Sequence, residues 1–159
     1  MFQVGDKIVH PMHGAGVIDE IATRKINGVT RDYYILKLPV GGMLVMIPTE
    51  SSGDIGVRPV MTAGEANRLL EVLPDIEVET DPNWNRRYRE NMARLKSGDL
   101  LEVARVMKGL MLRDGERGLS TGERKMLHSA RQILISEIVM SESSSYEDVE
   151  RRIDLALAR

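Results

Sequence analysis

The chain contains no cysteine, which excludes disulfides, iron–sulfur clusters, thiolate zinc sites and a cysteine nucleophile together. It also lacks a long apolar run. The longest uncharged stretch, Leu38 to Thr49, is twelve residues with two prolines and two glycines, too short and too broken to span a bilayer. The N-terminus has neither the basic region nor the apolar region of a signal peptide. Low-complexity tracts and internal repeats are absent as well. These absences lead to the expectation of a soluble, cytoplasmic protein. Aromatics are scarce at 4%, with a single Trp, while 42% hydrophobic and 29% charged residues are the proportions of a folding chain. The 159 residues suffice for one ordinary domain or two small ones.

Net charge is −2, unevenly spread. Residues 1–79 carry 7 Lys and Arg against 11 Asp and Glu, residues 80–134 carry 12 against 7, and residues 135–159 carry 3 against 6. A basic middle between two acidic ends implies a local anionic contact, not a surface that coats nucleic acid everywhere.

The first 58 residues have β character. Asp6–His10, Gly16–Ile21, Arg31–Leu38 and Met43–Pro48 are rich in Val, Ile, Tyr and Leu and are separated by turn residues. Asn27-Gly28, between Thr23–Ile26 and Val29–Tyr34, is the pair that a type I′ hairpin turn requires, and Gly41-Gly42 offers a second turn. The expectation is a small antiparallel β-barrel of SH3 or Tudor-like size. From Thr62 the pattern is helical. Thr62-Ala63-Gly64-Glu65 is a capping box, and Pro74 to Thr80 is an acidic linker. A second helix is expected from Asp81 as N-cap with Pro82 at the first helical position, ending near Ser97-Gly98. A third runs from about Asp99 to Arg113, closed by Asp114-Gly115. The fourth opens at the capping box Ser120-Thr121-Gly122-Glu123, with Met126, Leu127, Ala130, Ile133, Leu134, Glu137 and Ile138 at helical spacing; Ser144 caps a fifth. The fold class is thus α+β, a β module over 1–58 followed by a compact helical bundle over 59–159.

Motifs for catalysis are weak. Gly118-Leu119-Ser120-Thr121-Gly122 matches the serine-hydrolase string, but that nucleophile needs a strained turn above a parallel sheet. Here a helix precedes it and Glu123 makes Ser120 a cap. His128 lies on the same helix, where it cannot serve Ser120 as a base. His10 and His13 lack a third ligand at zinc spacing, and Gly14-Ala15-Gly16 lacks the third Gly of a dinucleotide fingerprint. The expectation is no enzyme, no metal and no cofactor.

Asp81-Pro82-Asn83-Trp84-Asn85-Arg86-Arg87-Tyr88-Arg89 stands apart, joining the only Trp to three arginines at a helix N-terminus. Such a terminus favours phosphate, Arg binds phosphate with a planar fork, and an aromatic can wedge between bases. The competing expectation puts Trp84 in the core, on a stripe with Tyr88, Asn91 and Leu95. Lys125, Arg124 and Arg131 add charge on the fourth helix, at spacings that also suit a solvated face.

These residues resemble a family. Val4-Gly5-Asp6-Lys7-Ile8-Val9-His10-Pro11-Met12-His13-Gly14-Ala15-Gly16 is similar to the start of the CarD/CdnL proteins, a start shared with a module of transcription-repair coupling factors. Asn83-Trp84-Asn85-Arg86-Arg87-Tyr88, Lys96-Ser97-Gly98-Asp99, Arg113-Asp114-Gly115-Glu116-Arg117-Gly118-Leu119-Ser120, Glu123-Arg124-Lys125-Met126-Leu127 and Ala130-Arg131-Gln132-Ile133-Leu134 resemble CarD more specifically. The resemblance implies a bacterial transcription regulator without enzymatic activity, its Tudor-like module docked on the RNA polymerase β subunit. It implies promoter DNA as second partner, with Trp84 a wedge in the minor groove at the upstream edge of the bubble. Arg86, Arg87 and Arg89 are then phosphate contacts, joined by Lys125. Arg24 and Met46 fall in the implied polymerase interface, and Met46 stands where some relatives carry a basic residue. A monomer is expected. The alternative is a protein-interaction adaptor whose β module binds a partner, with Trp84 in the core and no DNA role.

Overall fold

The computed structural model describes residues 1–39, 42–78 and 81–158. Five strands come first: β1 (Lys7–His10), β2 (Gly14–Ile26), β3 (Val29–Lys37), β4 (Leu44–Pro48) and β5 (Arg58–Pro59). They form one antiparallel sheet in the order β4-β3-β2-β1-β5. Asn27 and Gly28 join β2 to β3 with φ of 51° and 79°, the two left-handed residues of a type I′ turn, whose twist matches that of the strands. The segments Gly16–Ile21 and Thr23–Ile26 belong to one strand, whose ladder with β3 runs on to the Ile26–Val29 pair. A bulge between Ile18 and Glu20 bends this 13-residue strand. The Gly41-Gly42 turn falls partly outside the described residues, as does the end of the Pro74–Thr80 linker.

Side chains from β1 to β4 meet in one small core. Ile8, Ile18, Tyr34, Leu36, Leu38, Ile47 and Val57 are its buried members, so the sheet curls about a single centre as expected of a Tudor-like unit. Ile18 lies opposite Leu36 in the ladder, and paired residues share a face. The alternate residues along β3, Tyr33 and Ile35, join Ala22 in a second cluster on the opposite face. Two further elements carry no strong periodicity and escape sequence reading: the single turn α1 (Ser52–Ile55) and β5.

The helical region comprises α2 (Ala63–Val72), a 3-10 turn at Leu73–Asp75, α3 (Trp84–Lys96), α4 (Leu100–Arg117), α5 (Thr121–Glu142) and α6 (Tyr146–Leu157). The capping boxes at Thr62 and Ser120 are both formed. Three boundaries differ from expectation. Asn83, not Asp81, caps α3, because its side chain accepts from the Arg86 N–H while Asp81 accepts from the Asn83 N–H. α4 passes through Asp114-Gly115 to Arg117 and stops at Gly118, whose φ is 78°. α6 is capped by Ser145, accepting from Asp148 N–H. One core unites these helices, centred on Leu95, Met107, Leu110, Ile133, Leu134 and Ile153. Lys108 donates to the Leu73, Pro74 and Ile76 carbonyls, satisfying the oxygens that the end of α2 leaves open. No described helix is long and apolar enough to cross a membrane.

Sheet and bundle meet along α5. Glu137, with 0% of its surface exposed, receives both terminal nitrogens of Arg58 at 2.7 Å and the Met61 N–H at 2.9 Å. Arg58 also donates to the Gly98 carbonyl. Beside it on α5, Ser136 Oγ accepts from the Ala15 N–H at 2.9 Å. Gly14 makes this approach possible, since a Cβ there would lie 2.5 Å from Ser136 Oγ, and its φ is 98°. Lys7 donates to the Met140 carbonyl. Glu137→Ala is expected to lower unfolding free energy by about 3 kcal/mol in urea melts, the low end for breaking a buried pair, because Arg58 keeps 29% of its side chain in solvent.

Candidate nucleic-acid interface

Asn83 starts α3 at the surface, so Trp84 occupies its first turn, before the helix enters the core. Trp84 is 44% exposed. Its indole stacks on Tyr88, one turn later on the same face, with centroids 5.1 Å apart and planes at 17°. The indole N–H donates to Ser120 Oγ at 3.3 Å. Ser120 is the N-cap of α5, so the N-termini of α3 and α5 converge around the Trp, and both helix dipoles present their positive ends there. Tyr88 in turn packs against the first turn of α5 at Gly122. The ring is thus held by one face and its edge, with the rest in solvent. The expectation of a core Trp84 is corrected: only the first turn of α3 lies beyond the bundle, and Trp84 sits on that turn.

The arginines divide in two. Arg86, Arg89 and Lys125 are exposed, Arg86 beside Asp81 at 3.5 Å. Arg87, expected among the phosphate contacts, turns inward instead and is 8% exposed. It donates to Glu123 at 3.1 Å and to the Asp81 carbonyl at 2.8 Å, because helical spacing carries it about 100° from Arg86 toward α5. Glu123 therefore does two things: it closes the Ser120 capping box and neutralises Arg87. Burial pushes its carboxyl up, but hydrogen bonds from Arg87 and Ser120 outweigh this and hold it below the ordinary 4.5. The sequence marks Glu123 as a cap; nothing local announces its partner on another helix. Ser120, the failed hydrolase serine, likewise turns out to be the Trp84 anchor.

Arg24 and Met46 lie on one face of the sheet. In the ladder Arg24 pairs with Arg31, and Met46 with Ile35, four residues further along β3. Residues at even spacing share a face, so the two sites are separated by about 13 Å along that strand. Leu44 and Met46 expose apolar surface there, beside the Ala22, Tyr33 and Ile35 cluster. Arg24 lies 3.8 Å from Glu20.

A Tudor-like sheet joined through one long helix to a bundle with an exposed Trp defines a class of chain, in which a small β unit is fixed against a helical one. Residues 2–61 match the family model described as the CarD-like/TRCF RID domain, and residues 68–154 that of the CarD C-terminal domain. A Bacillus subtilis (strain 168) protein named "Putative transcription factor YdeB" is 36% identical over 138 residues, covering 87% of this chain and 90% of that one. The chain belongs to the CarD family, a family of the transcription-factor type.

The buried pair makes stability depend on pH. Because the folded carboxyl of Glu123 is depressed, its contribution is complete above 4.5 and fades as pH falls through the folded value. Glu123→Gln is expected to cost about 3 kcal/mol at pH 7 by leaving Arg87 buried without its counter-charge. In urea melts run from pH 7 to pH 3, the gap from wild type narrows below 4.5.

Proposed function

We propose that this protein stabilises the promoter open complex, docking on the RNA polymerase β subunit through the strand module, residues 1–58, and touching DNA through the helical module, residues 59–159. The supporting observation is the half-exposed Trp84, stacked on Tyr88 and tethered to Ser120, between two helix N-termini. Trp84 wedges into the minor groove at the upstream edge of the bubble. Arg86, Arg89 and Lys125 contact phosphates around it, while Arg87 positions the turn from within. Arg24 supplies a charged contact on the sheet's outer face, and Met46 with Leu44 supplies an apolar one. The protein works in the cytoplasm as a monomer and needs no cofactor.

Three exposed cations give weak, salt-sensitive and sequence-independent DNA affinity. Docking on polymerase raises the effective concentration of DNA at the bundle, so weak contacts suffice. Unstacking a base step costs a few kcal/mol, and least where the duplex is already opening. A wedge therefore favours the melted promoter over the closed one, which is the differential contact that a population shift requires. Trp84 is held before DNA arrives, so little side-chain entropy is lost on insertion. An adaptor with no DNA role gives the exposed indole nothing to do.

The test is the lifetime of open complexes formed by bacterial RNA polymerase holoenzyme. Wild type is expected to lengthen it roughly tenfold, about 1.4 kcal/mol of differential contact, and Trp84→Ala to return it to the unaided value. Trp84→Ala should still bind polymerase and lose only about 1 kcal/mol of stability. A variant as active as wild type removes the wedge. In pull-downs, Arg24→Glu is expected to weaken polymerase binding about tenfold without altering the melting temperature.

A further inference from the structure

Ser120 and Thr62 open α5 and α2 with the same capping box. At Thr62 the hydroxyl donates to Glu65 Oε1 at 3.0 Å and accepts from the Glu65 N–H at 3.2 Å. At Ser120 it donates to Glu123 Oε1 at 3.1 Å and accepts from the Glu123 N–H at 3.2 Å. A hydroxyl has one hydrogen to give and two lone pairs, so the box itself leaves one lone pair over. The indole N–H of Trp84 takes the one at Ser120, at 3.3 Å. The direction of this bond is set from behind. Glu123 is buried, and its other oxygen lies 3.1 Å from Arg87 and 3.7 Å from Arg113. Held ionised beside two guanidiniums, the carboxylate can only accept. It therefore claims the hydroxyl hydrogen and leaves Ser120 a lone pair for the indole.

The stack on Tyr88 fixes the plane of the indole but not which edge faces out. The last torsion of a Trp side chain is roughly two-fold, and either setting lays a ring face on Tyr88. Only one setting brings Nε1 to Ser120. We infer that Ser120 is a positioning residue: its hydroxyl holds the Trp84 indole with the N–H turned toward α5, so the edge offered to DNA carries only carbon. This rests on the wedge role proposed for Trp84 above. Base pairs differ in their minor-groove edges, since A·T shows acceptors alone while G·C adds the guanine amino donor. An indole whose N–H is already engaged gains nothing from either pattern, whereas a flipped one gains at A·T. Ser120 thus makes the wedge indifferent to the base pair it meets.

Trp84 is the single Trp, so the full 15N-labelled chain gives one indole Nε1–H signal. Its exchange with solvent is expected to be several-fold faster in Ser120→Gly, which removes the hydroxyl at little cost to the cap. Ser120→Thr keeps the hydroxyl and is expected to keep the slow exchange. Thr62→Gly, the same change in the other capping box, is expected to leave it unaltered. Each protein is then added to polymerase on two promoters that differ by one base pair, A·T or G·C, at the upstream edge of the bubble. The quantity read is the open-complex lifetime with the protein divided by that without it. Wild type and Ser120→Thr are expected to lengthen both equally. Ser120→Gly is expected to have a smaller mean effect and to favour the A·T promoter several-fold. Slow exchange in Ser120→Gly, lengthening by it that matches wild type on both promoters, or a wild type that itself prefers one promoter overturns the inference. The same loss with Thr62→Gly makes the role one of helix stability and also overturns it. The two readings fail differently. A Trp84→Ala protein as active as wild type brings down the wedge and the role of Ser120 with it, whereas an active wedge that Ser120→Gly leaves unaltered brings down the role of Ser120 alone.

Discussion

The carboxylate of Glu137 has no access to water, and the arrangement of the two modules rests on how it is satisfied. Arg58 and the Met61 N–H give it three hydrogen bonds, which tie the chain leaving the sheet to α5. The same helix, α5, carries Ser136 against Ala15 and, at its other end, Ser120 against Trp84. Ser120 and Glu137 stand at opposite ends of that helix, about 25 Å apart at the α-helical rise. α5 is thus a rigid spacer between the sheet and the Trp84 turn. A charged pair at this seam is not needed for stability as such, since an apolar replacement can be equally stable; its geometry fixes a single docking of sheet on bundle.

Charge is organised by depth in the helical region. Exposed cations surround the first turns of α3 and α5. Buried Arg87 and half-buried Arg94, Arg105 and Arg113 pair with Glu123 and Glu102, two to each carboxylate. The basic excess of the middle of the chain is therefore partly internal, and its surface expression is smaller than the composition implies. This division explains why Arg86 and Arg87, neighbours in the chain, differ so completely: one faces solvent and the other holds α3 to α5.

Much of the fold is legible in the amino-acid order alone. The Asn27-Gly28 turn, the capping boxes at Thr62 and Ser120, and the apolar stripes of α4 and α5 depend on residues within a turn or two of each other, where backbone sterics and local hydrogen bonds decide. The same locality explains the departures. Asp81 and Asn83 are equally good caps by type, and the choice between them depends on how α3 docks. α1 and β5 are too short to show a period, and β5 exists only because β1 offers it an edge.

Trp84 shows where local reasoning stops. By residue type it fits a core stripe as well as a surface wedge, and the stripe is real, since Leu95 on it is buried. Its exposure is decided by where the bundle ends along α3, which depends on packing against α4 and α5. Arg87, Arg113 and Glu123 come together from three helices, and no spacing within one helix encodes that meeting. The amino-acid sequence by itself determined the α+β class, the helix starts set by capping boxes and the aromatic-basic segment. Only the tertiary structure decided which arginines are exposed and what anchors the indole, because those depend on long-range packing that places residues tens of positions apart within hydrogen-bond distance.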